Sequence, residues 1–245
     1  MKMNTRAPHR NCNQLHRSLQ MLLLDVVMVF AMENFTISIP EESQFKAIGY
    51  FLYEDYLQRE RCCVTSGFSA GLLKMGLQLS EESSTEIITA LLEGLTLVAV
   101  EDDGAIAGVA INVKAKEEAV TDLTKFSKSR QAIMKFVNIL KEGHDITKEC
   151  NGQGLYLWML GVKQIHCGKG LARRLIDKSI ELAQQHSMAF IDSVATSPET
   201  VHLFEAMSFE TKSEMKFQDF LMDDGTPGFP YATASDKARF TVKML

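Results

Sequence analysis

The sequence predicts an α/β protein built on one mixed central sheet with helices on both faces. Apolar stretches of strand length alternate along the chain with segments whose apolar residues recur every three or four positions. In order these segments read β-α-α-β-β-α-β-α-β-α-β-β, and such alternation favours a sheet covered on both sides. The 245 residues contain no internal repeat, low-complexity tract or Pro/Ser-rich linker, which favours one elaborated domain.

The first elements are a strand and two helices. Residues 35–39 alternate apolar and polar side chains, as a half-buried strand does. Pro40 opens a helix, and Glu41 and Glu42 follow it, where negative charge complements the helix dipole. Ser80 is a candidate N-cap for the second helix. The apolar residues of these helices fall at helical spacing: Phe45, Ile48, Phe51, Leu52, Ile87, Ile88, Leu91 and Leu92.

The middle of the chain predicts a hairpin, a helix and a buried strand. Residues 95–100 and 105–113 are apolar and flank an acidic turn, so they pair as an antiparallel hairpin. Residues 121–143 predict a helix whose inward residues are Ile133, Phe136, Val137 and Leu140. Residues 155–162 form the most apolar strand of the chain. A long helix follows it, with Leu171, Leu175, Leu182 and Ala183 on one face.

The C-terminal part predicts three more strands and one helix. Residues 190–194 form a strand, and Ser197 and Pro198 then cap a helix. Residues 209–220 return as a strand, and residues 238–245 form the last strand after a turn-rich segment.

Composition and charge exclude several classes of function. The net charge of −5 argues against sequence-independent binding of nucleic acid, which requires clustered positive charge. The five cysteines are odd in number and include no CxxC pair, so neither a disulfide framework nor a metal site is expected. A reducing, cytoplasmic location and a monomer are the expectations.

The N-terminus differs in composition from the rest of the chain. Four basic residues precede an apolar run over residues 19–32, which Asp25 interrupts. The run is too short for the ~20 apolar residues that span a bilayer, so no stable membrane insertion is expected. We predict that residues 1–31 are a disordered or dispensable leader and that residues 32–245 form the domain. An organelle address and a secretion signal remain open.

A glycine-bearing loop follows the most apolar strand directly and leads into a helix. Its residues are Cys167, Gly168, Lys169, Gly170, Leu171 and Ala172. Such a junction directs unpaired backbone N–H groups and the positive end of the helix dipole at one point. Because glycines let the backbone approach a ligand closely, a phosphate or pyrophosphate fits there.

Several interpretations of this loop compete. A dinucleotide fingerprint requires a third glycine where Arg173 stands, and the P-loop pattern is absent. The glycines can also serve only the geometry of a strand-to-helix turn. The loop resembles the acetyl-CoA loop of the Gcn5-related N-acetyltransferase superfamily, which has Gln or Arg first. Gly170 and Ala172 match that motif, and Cys167 replaces the first residue.

Three further segments resemble the insect arylalkylamine N-acetyltransferases. Residues 51–57 read Phe-Leu-Tyr-Glu-Asp-Tyr-Leu and are similar to that family's FFxDEPL stretch. Residues 195–209 look like its SSxYS segment followed by a helix ending in LGF. Residues 219–229 and 242–245 are similar to its DDGxPxF and terminal VKRL. The chain has Asp55, Thr196, Thr200 and Ser208 where the family has Glu, two serines and Gly.

The resemblance implies the acetyltransferase fold and transfer of acetyl from acetyl-CoA to a small primary amine such as dopamine, serotonin, octopamine or tyramine. The amine attacks directly, without an acyl-enzyme, so a general base is needed. Asp55 is the implied base with Glu54 as substitute, and Thr196 and Thr200 are the implied hydroxyl groups. The implied acetyl-CoA contacts are the backbone of Leu160, Gly161 and Val162, which would pair with the pantetheine arm, and residues 167–172, which would hold the pyrophosphate.

Alternatives to these roles remain open. The two acids can be solvated, the threonines can cap a helix, and His166 and His202 suit surface or packing roles better than catalysis. One set of aromatic residues can line an amine pocket or pack in the core: Phe45, Tyr53, Tyr56, Phe68 and Trp158. For the whole chain, a polyamine or other non-aromatic amine is an alternative substrate. A catalytically degenerate CoA-binding or interaction module is the alternative function.

Overall fold

The computed structural model describes residues 35–74, 81–115 and 122–245, and a seven-stranded sheet lies at its centre. The strands are β1 (Thr36–Ser38), β2 (Leu97–Val100), β3 (Ile106–Lys114), β4 (Gly154–Val162), β5 (Phe190–Ala195), β6 (Glu210–Lys216) and β7 (Lys237–Met244). Their order is β1-β2-β3-β4-β5-β7-β6. The β4–β5 pair is parallel and the other neighbours are antiparallel, which confirms the predicted mixed sheet.

Eight helices are described. They are α1 (Phe45–Phe51), α2 (Arg61–Thr65), α3 (Phe68–Lys74), α4 (Glu81–Leu92), α5 (Lys128–Lys141), α6 (Ile146–Cys150), α7 (Leu171–Gln185) and α8 (Pro198–Ala206). A π-helical turn (Leu52–Tyr56) and a further turn (Leu57–Arg59) extend α1. The sequence predicted α1, α4, α5, α7 and α8, but it missed α2, α3 and α6. Those three contain five to seven residues, too few to establish a helical period.

Helices cover both faces of the sheet, as predicted. On one face α7 and α8 pack against the strands, and the predicted inward residues of α7 are all buried. On the other face α1 and α4 cover β2 to β4, and α2 and α5 cover β5 and β7. The predicted helix α4 is present, and its four apolar residues lie in two different environments. Ile87 and Leu91 are buried, whereas Ile88 and Leu92 are 49% and 62% exposed, because only one narrow stripe of α4 meets the sheet.

The segment after β6 departs from the prediction. A strand was expected over residues 209–220, but β6 ends at Lys216 and Phe217–Asp219 form a 3-10 turn. The turn directs Phe217 and Phe220 inward, where they join Phe229 around Phe136 of α5. Burial of these rings therefore ends the strand early and folds the segment between β6 and β7 over α5.

A bulge in β4 opens the centre of the sheet. Ile111 pairs with Met159 and Asn112 pairs with Leu157, so Trp158 is an extra residue in the ladder. A bulge bends its strand and increases the local twist. The pairing between β4 and β5 covers only three residues of β4, which end at Tyr156. Beyond Tyr156 the two strands separate, and we call the space between them the β4–β5 gap.

Residues 1–34 lie outside the described residues, as do Ser80 and residue 121. The predicted leader, the start of the domain at Met32 and the predicted Ser80 cap therefore remain predictions. Within the described ranges, no helix has both the length and the apolar character needed to cross a membrane.

Candidate functional site

The glycine loop leaves β4 and ends at the first turn of α7. Gln164–His166 form a 3-10 turn, and Gly168 and Gly170 follow with φ angles of 76° and 78°. Side chains other than glycine rarely adopt this left-handed conformation, which explains both glycines. Gly170 is the N-cap of α7, a 15-residue helix. The loop thus places the amides of a long helix at one end of the β4–β5 gap, where an anion would be stabilised.

His166 fixes this loop to the rest of the fold. Its side chain is buried, its ring meets Phe35 edge to face, and its Nε2 lies 3.0 Å from Oε1 of Glu101. Lys169 Nζ lies 3.4 Å from His166 Nδ1. The structure therefore gives His166 a packing role, as preferred from the sequence. Glu101, in the turn between β2 and β3, was missed because nothing local in the sequence indicates its contact with residue 166.

Replacing Glu101 with alanine is expected to weaken binding of acetyl-CoA, the ligand that the resemblance implies, by about five- to tenfold. The substitution removes the acceptor that orients His166, and one such hydrogen bond contributes about 1 kcal/mol. Calorimetric titration measures the change. Asp102→Ala is the matched control, because Asp102 is an exposed neighbour in the same turn. Equal binding by Glu101→Ala and wild type would contradict a role for Glu101 in positioning the loop.

The outer part of β4 presents backbone groups to the gap. The Lys163 N–H donates to the Ala107 carbonyl at 2.8 Å, so the residue pair 107/163 is a hydrogen-bonded pair of the β3–β4 ladder. Alternation along an antiparallel pair then turns the amides of Leu160 and Val162 away from β3 and into the gap. These amides continue in line with the glycine loop. The backbone of the predicted cofactor residues in β4 and in the loop therefore lies along one surface. The side chain of Leu171 is buried, so only its backbone belongs to that surface.

The extended helix α1 packs across this part of β4. A Cβ atom on Gly161 would lie 3.0 Å from ring atoms of Phe51 and Tyr56, so glycine allows both rings to rest on the strand. The π-helical turn carries Glu54 and Asp55, and π-helical turns occur often at functional sites. Tyr56 therefore packs in the core and also lies on the part of β4 that borders the gap.

The two predicted acids of this turn differ in their surroundings. Glu54 is exposed. Asp55 is 22% exposed, forms an ion pair with Arg59, and accepts a long hydrogen bond of 3.5 Å from the Gln164 amide. Arg59 also donates to the Val162 carbonyl at 2.7 Å. Asp55 therefore lies beside the loop end of the gap, with a cation already bound to it.

The two predicted hydroxyl residues lie across the gap, at the end of β5. Thr196 donates to Glu60 Oε1 at 2.7 Å. Ser197 is the N-cap of α8, as predicted, and its Oγ lies 3.0 Å from Thr200 Oγ1. The structure brings Thr196 together with Glu60 and places Thr200 in the cap of α8 beside Ser197, while Asp55 lies on the β4 side.

Glu60 and Arg59 are residues of the site that the sequence did not indicate. Glu60 is half-buried and caps α2, where its Oε2 accepts from the Cys63 amide at 2.8 Å. A signal was present in the sequence: three charged residues, 59–61, stand between Leu57 and Cys62, which are both buried. Charged residues between two buried residues cannot all be freely solvated. Because α2 was not predicted from the sequence, this pattern was not interpreted.

No group of three or more His, Cys, Asp and Glu side chains suited to a metal ion occurs within the described ranges. The four cysteines in those ranges, Cys62, Cys63, Cys150 and Cys167, are free thiols.

Comparison with known proteins places this geometry in a family. Residues 74–209, more than half of the chain, match the model of the acetyltransferase (GNAT) family. The sequence itself matches no curated protein. Arylalkylamine N-acetyltransferase 2 from Aedes aegypti superposes with a TM-score of 0.75 at 20% identity, covering 86% of this chain and 99% of that one.

Two other solved structures give similar values. The mosquito arylalkylamine N-acetyltransferase like 5b has a TM-score of 0.76 at 16% identity and covers 86% of this chain and 100% of that one. The Drosophila melanogaster polyamine N-acetyltransferase, which forms N-acetylagmatine, has a TM-score of 0.74 at 14% identity with coverages of 86% and 100%. At these identities the likeness shows a shared fold. Together with the family match, it shows that this chain is an acyltransferase with the acetyltransferase fold, a member of the GNAT family.

Proposed function

We propose that the protein transfers the acetyl group of acetyl-CoA to the primary amine of a small molecule, an arylalkylamine in particular. The β4–β5 gap is the observation that carries this proposal. On one side of the gap is the stretch of β4 that β5 does not pair with. The N-terminus of α7 lies at one end of the gap, and the Glu60–Thr196 pair lies on the other side. Amides on a strand edge suit an extended arm with its own amides, and a helix N-terminus suits a pyrophosphate.

The residues fit acetyl-CoA, which enzymes of this family use and which supplies an activated acyl carbonyl. Leu160 and Val162 would pair with its pantetheine arm, and residues 167–172 would hold its pyrophosphate. An amide on the open edge of β4 would stabilise negative charge on the acyl oxygen. The Val162 carbonyl already accepts from Arg59, so Arg59 must move if the arm is to pair there.

The acceptor amine would attack the acyl carbonyl directly, with no acyl-enzyme. An ammonium group must first lose a proton, and a carboxylate in the gap would take it. The resemblance indicates Asp55 for this step, with Glu54 as substitute, and the structure adds Glu60. Thr196 and Thr200 would donate to groups that become negative as the thiolate leaves. The cytoplasmic location and the monomeric state predicted from the sequence belong to the same proposal.

The choice of an arylalkylamine depends on the resemblance of residues 51–57 and on a neighbour in the fold that is an arylalkylamine N-acetyltransferase. The net charge of −5 also suits a cationic acceptor. A polyamine or agmatine-like acceptor is the second candidate, because the Drosophila polyamine N-acetyltransferase, which forms N-acetylagmatine, has a TM-score of 0.74 to this chain.

Thiol release from acetyl-CoA by the full chain tests this proposal. The acceptor panel is dopamine, serotonin, octopamine, tyramine, spermidine, agmatine and free amino acids. We expect the highest kcat/KM with the aromatic amines. Preference for spermidine or agmatine would assign the second candidate, and binding of acetyl-CoA without turnover on any amine would instead indicate a CoA-binding module.

A further inference from the structure

The Glu60 carboxylate lies on the β5 side of the β4–β5 gap. Its Oε1 accepts from Thr196, which follows β5, and its Oε2 accepts from the Cys63 amide in α2. The Glu60 amide donates to the Tyr56 carbonyl at 2.9 Å, and the ring of Tyr56 rests on β4 at Gly161. Neither of the two predicted acids, Glu54 and Asp55, forms a hydrogen bond or ion pair with the β5 side of the gap among the described residues.

The charge of Glu60 is not neutralised by the arginines next to it in sequence. Arg59 pairs with Asp55, and Arg61 pairs with Asp236. The two hydrogen bonds to the Glu60 oxygens come from a hydroxyl and a backbone amide, which are neutral donors. A half-buried carboxylate in such surroundings is stabilised by an incoming cation, since a buried charge is costly until it is paired.

One phenol ring adds to a site for a cation. Burial raises the pKa of Tyr56 well above its usual value, and the charge of Glu60 raises it further. The Tyr56 phenol therefore stays neutral near the carboxylate, and aromatic faces attract ammonium groups. The ring of Tyr156 does not serve this site, because Lys141 Nζ already lies 3.5 Å from its centre. Asp55, by contrast, is committed to Arg59 at the loop end of the gap.

We propose that Glu60, with Thr196 and Tyr56 around it, binds the ammonium group of the acceptor and takes its proton. In this step the N–H bond breaks, the proton passes to a carboxylate oxygen of Glu60, and the electron pair stays on the amine nitrogen. Thr196 keeps the carboxylate oriented, and the proton leaves later to water. The inference rests on the proposed function, and it moves the base from Asp55 to a residue five positions later in the chain.

The decisive variant is Glu60→Gln, because glutamine keeps the shape and can still accept from the Cys63 amide to cap α2. At pH 7 we expect kcat/KM for the preferred amine to fall at least 100-fold, in the range of a lost general base. Activity should recover as the pH approaches the pKa of the free amine, about 10 for an alkylammonium group. Acetyl-CoA affinity, measured by calorimetry, should stay within about twofold.

Two comparison variants make the result specific. Glu142→Gln removes an exposed carboxylate at the end of α5 and should leave both constants unchanged. Asp55→Asn should retain more activity at pH 7 than Glu60→Gln and should change acetyl-CoA binding instead. A Glu60→Gln enzyme within threefold of wild type, beside an inactive Asp55→Asn, would overturn the proposal and return the base to Asp55.

A binding measurement separates this inference from the proposed function. The single tryptophan of the chain, Trp158, is the bulge residue of β4 and packs against the same apolar cluster as Tyr56, so its fluorescence is the signal to follow. 2-Phenylethylamine, added to protein saturated with CoA, is the probe. If wild type binds it without acetylating any amine and Glu60→Gln does not bind it, the proposed function fails and the ammonium site stands. Equal binding by both proteins would refute the ammonium site.

Discussion

The variant Gly170→Glu is expected to reduce acetyl-CoA affinity by more than 100-fold. Gly170 is the N-cap of α7 with φ 78° and ψ 3°, a conformation that costs a residue with a side chain about 1–2 kcal/mol. The new carboxylate would also compete for the first amides of α7, which the pyrophosphate needs, and would repel the phosphates. Calorimetric titration with acetyl-CoA measures this loss.

Three controls separate charge from strain and from loss of folding. Gly170→Gln has the strain without the charge and should lose less affinity than Gly170→Glu. Gly225→Glu places the same side chain at φ 77° in a distant turn with open space around it, and it should bind normally. Cys167→Gln should bind at least as well as wild type, because the exposed Cys167 thiol donates only weak, long hydrogen bonds to the carbonyls of Val162 and Lys163. Normal binding by Gly170→Glu would place the pyrophosphate elsewhere.

The variant Phe136→Ala is expected to cause the largest loss of stability, about 3–5 kcal/mol of the free energy of unfolding. Phe136 is fully buried on α5, and its ring centre lies 5.1, 5.5 and 4.9 Å from those of Phe217, Phe220 and Phe229. Alanine would leave a cavity between α5 and the segment that joins β6 to β7. For a domain of this size the melting temperature should fall by roughly 10 °C.

The same variant should affect the acceptor side more than the donor side. The segment after β6 holds α2 through the Tyr231 amide, which donates to the Thr65 carbonyl at 3.0 Å, and through the Arg61–Asp236 ion pair. Because Glu60 is the N-cap of α2, loosening this segment should raise KM for the amine and leave acetyl-CoA affinity nearly unchanged. Urea unfolding and steady-state kinetics measure both effects, and Ile139→Ala, an exposed position on α5, is the control. A loss below about 1 kcal/mol would contradict the role given to Phe136.

Sequence patterns predicted those parts of the fold that carry strong local signals. The strand 155–162 and the helix with Leu171 and Leu175 are long and periodic, and both were placed correctly. Each of these signals lies within one segment, so no knowledge of tertiary contacts was needed. The glycine loop between them was likewise placed at the junction where the structure has it.

The remainder depended on contacts between segments distant in sequence. Glu60 meets Thr196 across 136 positions, and Glu101 meets His166 across 65. The bulge at Trp158 appears only when β3 and β4 are paired, because their register defines the extra residue. The end of β6 depends on rings from α5 and from a later turn. No local pattern contains such information, so the sequence did not indicate the contacts of Glu60 and Glu101.

The short pairing between β4 and β5 has a consequence for the stability of the whole domain. Two halves of the sheet, β1 to β4 and β5 to β7, share only three residue pairs along that ladder. Regions joined by so few hydrogen bonds can open locally at a lower free energy than that of global unfolding. A donor molecule paired with Leu160 and Val162 would contribute backbone hydrogen bonds within this weak junction. Part of its binding free energy would then appear as slower amide hydrogen exchange in strands that it never touches.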